Sequence, residues 1–125
     1  MLLALLLALI HPAPYTTIAQ NTSLPYAYHT YLRGRFQSFG YGGEMRFTVQ
    51  NGFVTGTYRP DTGGRITTVH GGVNGSRIWF DIATLGDVRI NATREPDGTM
   101  QGMGSSRNGG TQWVFTATPL PSPSP

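Results

Sequence analysis

From Tyr31 to Thr118 the chain alternates apolar and polar residues with period two, and no window places apolar residues at helical spacing. Eight runs carry the alternation: Tyr31–Ser38, Glu44–Gln50, Phe53–Arg59, Arg65–Val73, Ser76–Ala83, Asp87–Glu95, Thr99–Ser105 and Thr111–Thr118. Met45, Phe47 and Val49 alternate with Glu44, Arg46, Thr48 and Gln50, while Ile78, Phe80 and Ile82 alternate with Arg77, Trp79 and Asp81. Val88, Ile90 and Ala92 repeat the pattern, and Trp113, Phe115 and Ala117 close it. One face is apolar and the other wet, as in an antiparallel sheet with one solvated side.

Turn chemistry separates the runs. Asn51-Gly52 and Asn74-Gly75 suit two-residue primed hairpins, which need positive φ, and Pro60 to Gly64 and Pro96-Asp97-Gly98 are longer turn signals. Phe39 to Gly43, Thr84 to Gly86 and Ser106 to Gly110 supply the remaining breaks. Such short connections join only antiparallel neighbours. No helix is present to cover the apolar face, so the sheet must close on itself or fold into a sandwich, and the absence of a long crossover favours closure. The sequence therefore predicts an all-β domain, a single eight-stranded antiparallel up-and-down meander barrel. A barrel of that size is filled by its own side chains or holds one small ligand. The inward parity collects Phe36, Phe47, Tyr58, Phe80, Trp113 and Phe115, with Gly34, Gly56, Gly102 and Gly104 among them. Glycines so placed predict barrel corners, or room for a bulky neighbour or ligand.

Composition sets the flanks. Leu2–Ile10 is an apolar run of nine residues, far short of the ~20 that span a bilayer as a helix, and it matches the core of a secretory signal. Small residues at Thr17 and Ala19 place the expected cleavage before Gln20. The reading is thus a signal peptide over 1–19, a lead-in over 20–30, the barrel over 31–118 and a Pro/Ser-rich extended tail over 119–125. The expected location is secreted or periplasmic, with no membrane span left after cleavage.

There is no cysteine, which excludes disulfides, thiolate metal sites and thiol nucleophiles. All nine cations are arginine, and they are scattered rather than clustered, so the net charge of +3 does not describe a nucleic-acid binder. An outer-membrane barrel is excluded as well. Its strands run to about 9–11 residues with an apolar outer band; here the outer parity carries Arg46, Arg77 and Arg89.

Candidate chemistry is sparse. His29 precedes the expected barrel and His70 stands alone in the fourth run, with no second ligand at metal spacing. Asp61, Asp87, Glu95 and Asp97 fall at or beside turns, and no serine has a base partner. The expectation is a non-enzymatic protein with no cofactor and no metal. Three Asn-x-Ser/Thr triplets, at Asn21, Asn74 and Asn91, match the glycosylation acceptor pattern.

Gly34-Arg35-Phe36, Val54-Thr55-Gly56-Thr57-Tyr58, the glycine-rich stretch from Gly63 to Phe80, Met100-Gln101-Gly102 and Gln112 to Ala117 together resemble small exported bacterial calycin-like barrels, shaped like lipocalins and avidins. The resemblance spans the whole of Tyr31 to Thr118. Phe36 stands where lipocalins carry an end-sealing tryptophan, and the final run lacks their late arginine. Thr55 to Tyr58 and Thr111 to Trp113 are similar to two biotin-binding segments of avidins, but the second falls in the last run and no aspartate follows it. Biotin is therefore not the expected ligand.

Two functions follow as expectations. In the first, the barrel takes up a small apolar or amphipathic molecule, with Tyr58 and Trp113 lining the cavity and Phe47, Phe80 and Met100 beside them. In the second, the core is solid and the domain acts through its surface, with Trp79 on the outer parity as contact residue. Oligomeric state is open in both.

Overall fold

The computed structural model describes residues 17–22, 25–36, 38–83, 87–107 and 109–121. The apolar run of the expected signal, the turn at 84–86 and the last four tail residues lie outside these. The strands are β1 (Tyr26–Gly34), β2 (Gly40–Gln50), β3 (Phe53–Pro60), β4 (Thr67–Asn74), β5 (Arg77–Ile82), β6 (Val88–Arg94), β7 (Met100–Ser106) and β8 (Gln112–Pro119). They form a closed barrel in chain order, every pair antiparallel, with β8 returning to β1. The expected eight-stranded meander is the fold.

The differences are local and physical. β1 begins at Tyr26, ahead of the expected Tyr31, because Tyr28, Thr30 and Leu32 all point inward against β2 and β8. β2 begins at Gly40, so the glycines read as a turn are ladder residues opposite Tyr31, Thr30 and Arg33. Phe36, expected in the interior, lies beyond the end of β1 and is 86% exposed. The Asn74-Gly75 signal is also shifted by one residue. Asn74 pairs with Arg77 as the last rung of β4, and Gly75 takes the first loop position with φ 62°, where a type II′ turn wants glycine. Asn51 and Gly52 both take positive φ, 52° and 80°, as a type I′ turn requires.

The inward faces meet in one continuous core. Leu32, Met45, Val49, Val69, Phe80, Ile82, Val88, Ile90 and Phe115 are fully buried, and Phe80 packs edge-on to Phe115 at 5.3 Å between ring centres. Three interior glycines let strands approach closely. A Cβ at Gly56, Gly71 or Gly102 would lie 2.0, 1.9 or 2.0 Å from a carbonyl oxygen of the neighbouring strand. They are barrel-coiling positions, as expected of Gly56 and Gly102.

The two ends differ. At one, residues 17–22 cross the barrel: Ile18, which the expected cleavage before Gln20 would remove, is 2% exposed within the core, and its N–H donates to the Gly75 carbonyl at 2.8 Å. Thr22 N–H donates to Val49 O and Gly52 N–H to Gln20 O, which ties this segment to the hairpin turns. Tyr26, Tyr28 and Phe47 stack beside it, and the Arg94 guanidinium sits 5.5 Å over Tyr26. The opposite end is rimmed by the β1–β2 and β3–β4 connections and carries a cleft.

Candidate functional site

The cleft at the open end encloses about 450 Å³. β2 contributes Tyr41 and two glycines, β3 contributes Tyr58 and Pro60, and the β3–β4 loop contributes Arg65. Its wall is mostly carbon, with Arg65 as its charged group. Gly63 and Gly64 shape the loop at φ 82° and 110°, a region that L side chains rarely adopt.

Tyr58 is positioned by what lies opposite. Its ring rests on Gly43 of β2, where a Cβ would come within 2.3 Å of the ring. Its hydroxyl hydrogen-bonds Thr30, whose own hydroxyl donates to the Gly43 carbonyl at 3.0 Å. Burial pushes the Tyr58 phenol above its ordinary value, partly offset by the Thr30 hydrogen bond. Tyr58 is 1% exposed, so it floors the cleft and presents little surface of its own.

The rim is tied down from outside. The His29 imidazole and the Asp61 carboxylate meet at 2.7 Å, joining β1 to the start of the β3–β4 loop. Asp61 N–H donates to Gly42 O at 3.0 Å, and a Cβ at Gly42 would strike the Asp61 carboxylate. His29, expected ahead of the barrel, is thus a strand residue with a partner. His70 is exposed on the outer face of β4. Among the described residues no group of three His, Asp or Glu is placed to hold a metal.

The five residues expected to line a cavity separate into three levels. Tyr58 and Trp113 lie toward the open end, Phe80 at mid-height, and Phe47 and Met100 toward the closed end. Trp113 is 6% exposed; its indole N–H donates to Ser106 Oγ at 3.4 Å, and Tyr41 meets it edge-on at 5.7 Å. Tyr41, which sequence reasoning placed in a turn, is thus the residue that lines the cleft with Tyr58 and touches Trp113. Trp113, Phe47, Phe80 and Met100, all expected to line a cavity, are enclosed by the core and line none of the clefts described.

Trp79 faces outward, as its parity predicted. Arg89 sits 4.6 Å over its ring, and Arg89 is itself gripped by Asp81 through two hydrogen bonds of 2.8 Å. Those bonds hold the Asp81 carboxyl below its ordinary value, outweighing its partial burial, with Arg107 adding to the effect.

No protein-family model, no curated protein and no solved structure matches the chain.

Proposed function

We propose that this barrel is an exported, non-enzymatic binding module that takes a small apolar or amphipathic molecule at its open end. The observation that carries the reading is the carbon-walled cleft between Tyr41, Tyr58 and the β3–β4 loop, of a size typical for small-molecule sites. The ligand would rest in the mouth, because the side chains below it are packed together. Arg65 at the rim suits a polar or anionic head group, and the exposed Tyr41 ring suits an apolar body. The likeness of the glycine and aromatic pattern to calycin-like barrels supports a binding role, and the apolar run Leu2–Ile10 supports export.

The test has two parts. Native mass spectrometry of the protein from its source should show a small molecule carried with the barrel. Anilinonaphthalene sulfonate should bind the purified protein, and Ala83→Trp, which places an indole at the cleft, should abolish that binding with the fold intact. Dye binding unchanged in Ala83→Trp sinks the reading.

A second reading, a solid-cored domain acting through its surface, is favoured by one specific observation: the interior is filled while Phe53 and Trp79 stay exposed outside. Unchanged self-association and partner capture in Trp79→Ala would count against it.

A further inference from the structure

Phe53, Gly72, Trp79 and Asn91 are paired in one row across β3, β4, β5 and β6, on the outer wall of the barrel. Gly72 leaves the row open between two exposed aromatic side chains, Phe53 at 69% and Trp79 at 39%. The row nearer the closed end runs from Asn74 to Arg77 to Thr93. A groove of about 580 Å³ is bounded by these two rows and reaches Asn51 and Gln20 at the closed end. It shares no lining residue with the mouth cleft.

The lining narrows the ligand by chemistry. Among the described residues that line it, Gln20, Asn51, Asn74 and Asn91 bring four carboxamides to one groove, with Arg77 as the cation and no carboxylate. A metal ion or an amine needs carboxylates, which are missing. A phosphate group is held by clustered cations, and here a single arginine lines the wall. A purely apolar ligand would bury carboxamides without partners, at a cost. Each carboxamide presents a donor and an acceptor side by side, which matches the neighbouring hydroxyls of a sugar. An exposed aromatic face suits the C–H face of a pyranose ring, since the π-cloud is its negative side.

The platform is also fixed before any ligand arrives. The fork from Arg89 to Asp81 holds the guanidinium against the indole, and Arg89 is not among the groove's walls. The indole edge lies over Gly72, where a Cβ would come within 2.8 Å of Nε1. An aromatic side chain held in place loses little freedom on binding.

We propose that this outer groove is a glycan-binding site, taking a neutral oligosaccharide along the Phe53–Trp79 row. The proposal is independent of the mouth cleft. It is tested by titrating the full chain with cello-, chito- and malto-oligosaccharides, followed by calorimetry and by the indole N–H resonances of Trp79 and Trp113. At least one of the sugars shifts the Trp79 resonance and leaves that of buried Trp113 in place. Trp79→Ala weakens its binding about tenfold or more, and Asn91→Leu, an exposed position whose change spares the barrel, weakens it several-fold. No shift with any of the sugars at ~10 mM overturns the proposal, since weaker binding carries under about 3 kcal/mol. Binding undiminished in both variants overturns it too. So does a Trp79→Ala whose only consequence is altered sedimentation, because the groove's occupant would then be a second copy of the chain.

Discussion

Gly71 and Gly72 are neighbours in β4, and the same substitution at each should have different consequences. Gly71 points inward, where a Cβ would lie 1.9 Å from the Trp79 carbonyl oxygen and 2.8 Å from Phe80 Cα. Both are backbone atoms, so relief requires β4 and β5 to separate in the middle of a closed barrel. Gly72 points outward, and its Cβ would meet the Trp79 indole at Nε1, 2.8 Å away, and at Cε2, 3.2 Å away. That obstacle is the end of a half-exposed side chain, so relief costs the indole its seat between Arg89 and Gly72 but leaves the strands in place. Alanine also gains about 0.4–1 kcal/mol over glycine by restricting the unfolded chain. Overpacking of a core costs ~1–3 kcal/mol, or more when backbone must move. Gly71→Ala should therefore destabilise the barrel by about 2 kcal/mol net, a fall in Tm of roughly 10 °C for a domain of this size. Gly72→Ala should stay within ~0.5 kcal/mol of the parent while changing the fluorescence of Trp79. Urea unfolding at constant m-value measures both. The reasoning is refuted if Gly71→Ala unfolds with the parent, or if Gly72→Ala is the more damaging of the two.

Ile18→Ala should lower stability by about 2 kcal/mol, the low end for a buried isoleucine because it caps the barrel rather than lying at its centre; urea unfolding of a chain retaining residues 17–22 checks it, and an unchanged midpoint denies that Ile18 closes the end. Asp81→Asn should lower the urea midpoint near neutral pH but not in strong acid. The Asp81 carboxyl is held below its ordinary value by Arg89, so its contribution is present above the usual carboxylate range and is lost as pH falls through the depressed value. A midpoint difference that persists in strong acid rejects that account. Tyr28 and Tyr58 have phenols raised by burial, so their stabilisation is intact below the ordinary tyrosine range and fades as pH climbs through their raised values. In an alkaline ultraviolet titration these two should ionise together with unfolding, and their ionisation in a barrel that stays folded rejects the account.

The barrel was legible because two independent signals agreed in most runs: side-chain parity and the turn residues that end each strand. Where one signal fell silent, the reading slipped. Gly40, Gly42 and Gly43 have no side chain to show parity, so a ladder segment resembled a turn; only the Tyr58 ring resting on Gly43 reveals why glycine is needed there. β1 puts Thr30 inside and Tyr31 outside, the reverse of what polarity suggests, and its start was read five residues late for that reason. Phe36 was carried inward by extending parity past Gly34, although the ladder ends there. Trp79 was read correctly as outward, but its groove could not be seen in any one run. The groove exists because register aligns Phe53, Gly72, Trp79 and Asn91, which come from four different strands.

That distinction bears on where such a barrel can act. An eight-stranded barrel has room for a ligand only if its inward side chains are small. Here Phe47, Tyr58, Phe80, Trp113 and Phe115 point in, and small residues instead serve close strand contact at Gly56, Gly71 and Gly102. The glycines that read as possible ligand space are thus used to coil the wall around a filled core. A filled, closed barrel has few ways to deform, so surfaces attached to it stay in place. The rim cleft is fixed by Gly43, Thr30 and the His29–Asp61 pair, and the outer groove by Gly72 and the Asp81–Arg89 fork. Each site is held by its own contacts. Loss of one by mutation should leave the other untouched, which is the behaviour expected of two sites on a rigid support rather than of one cavity seen from two sides.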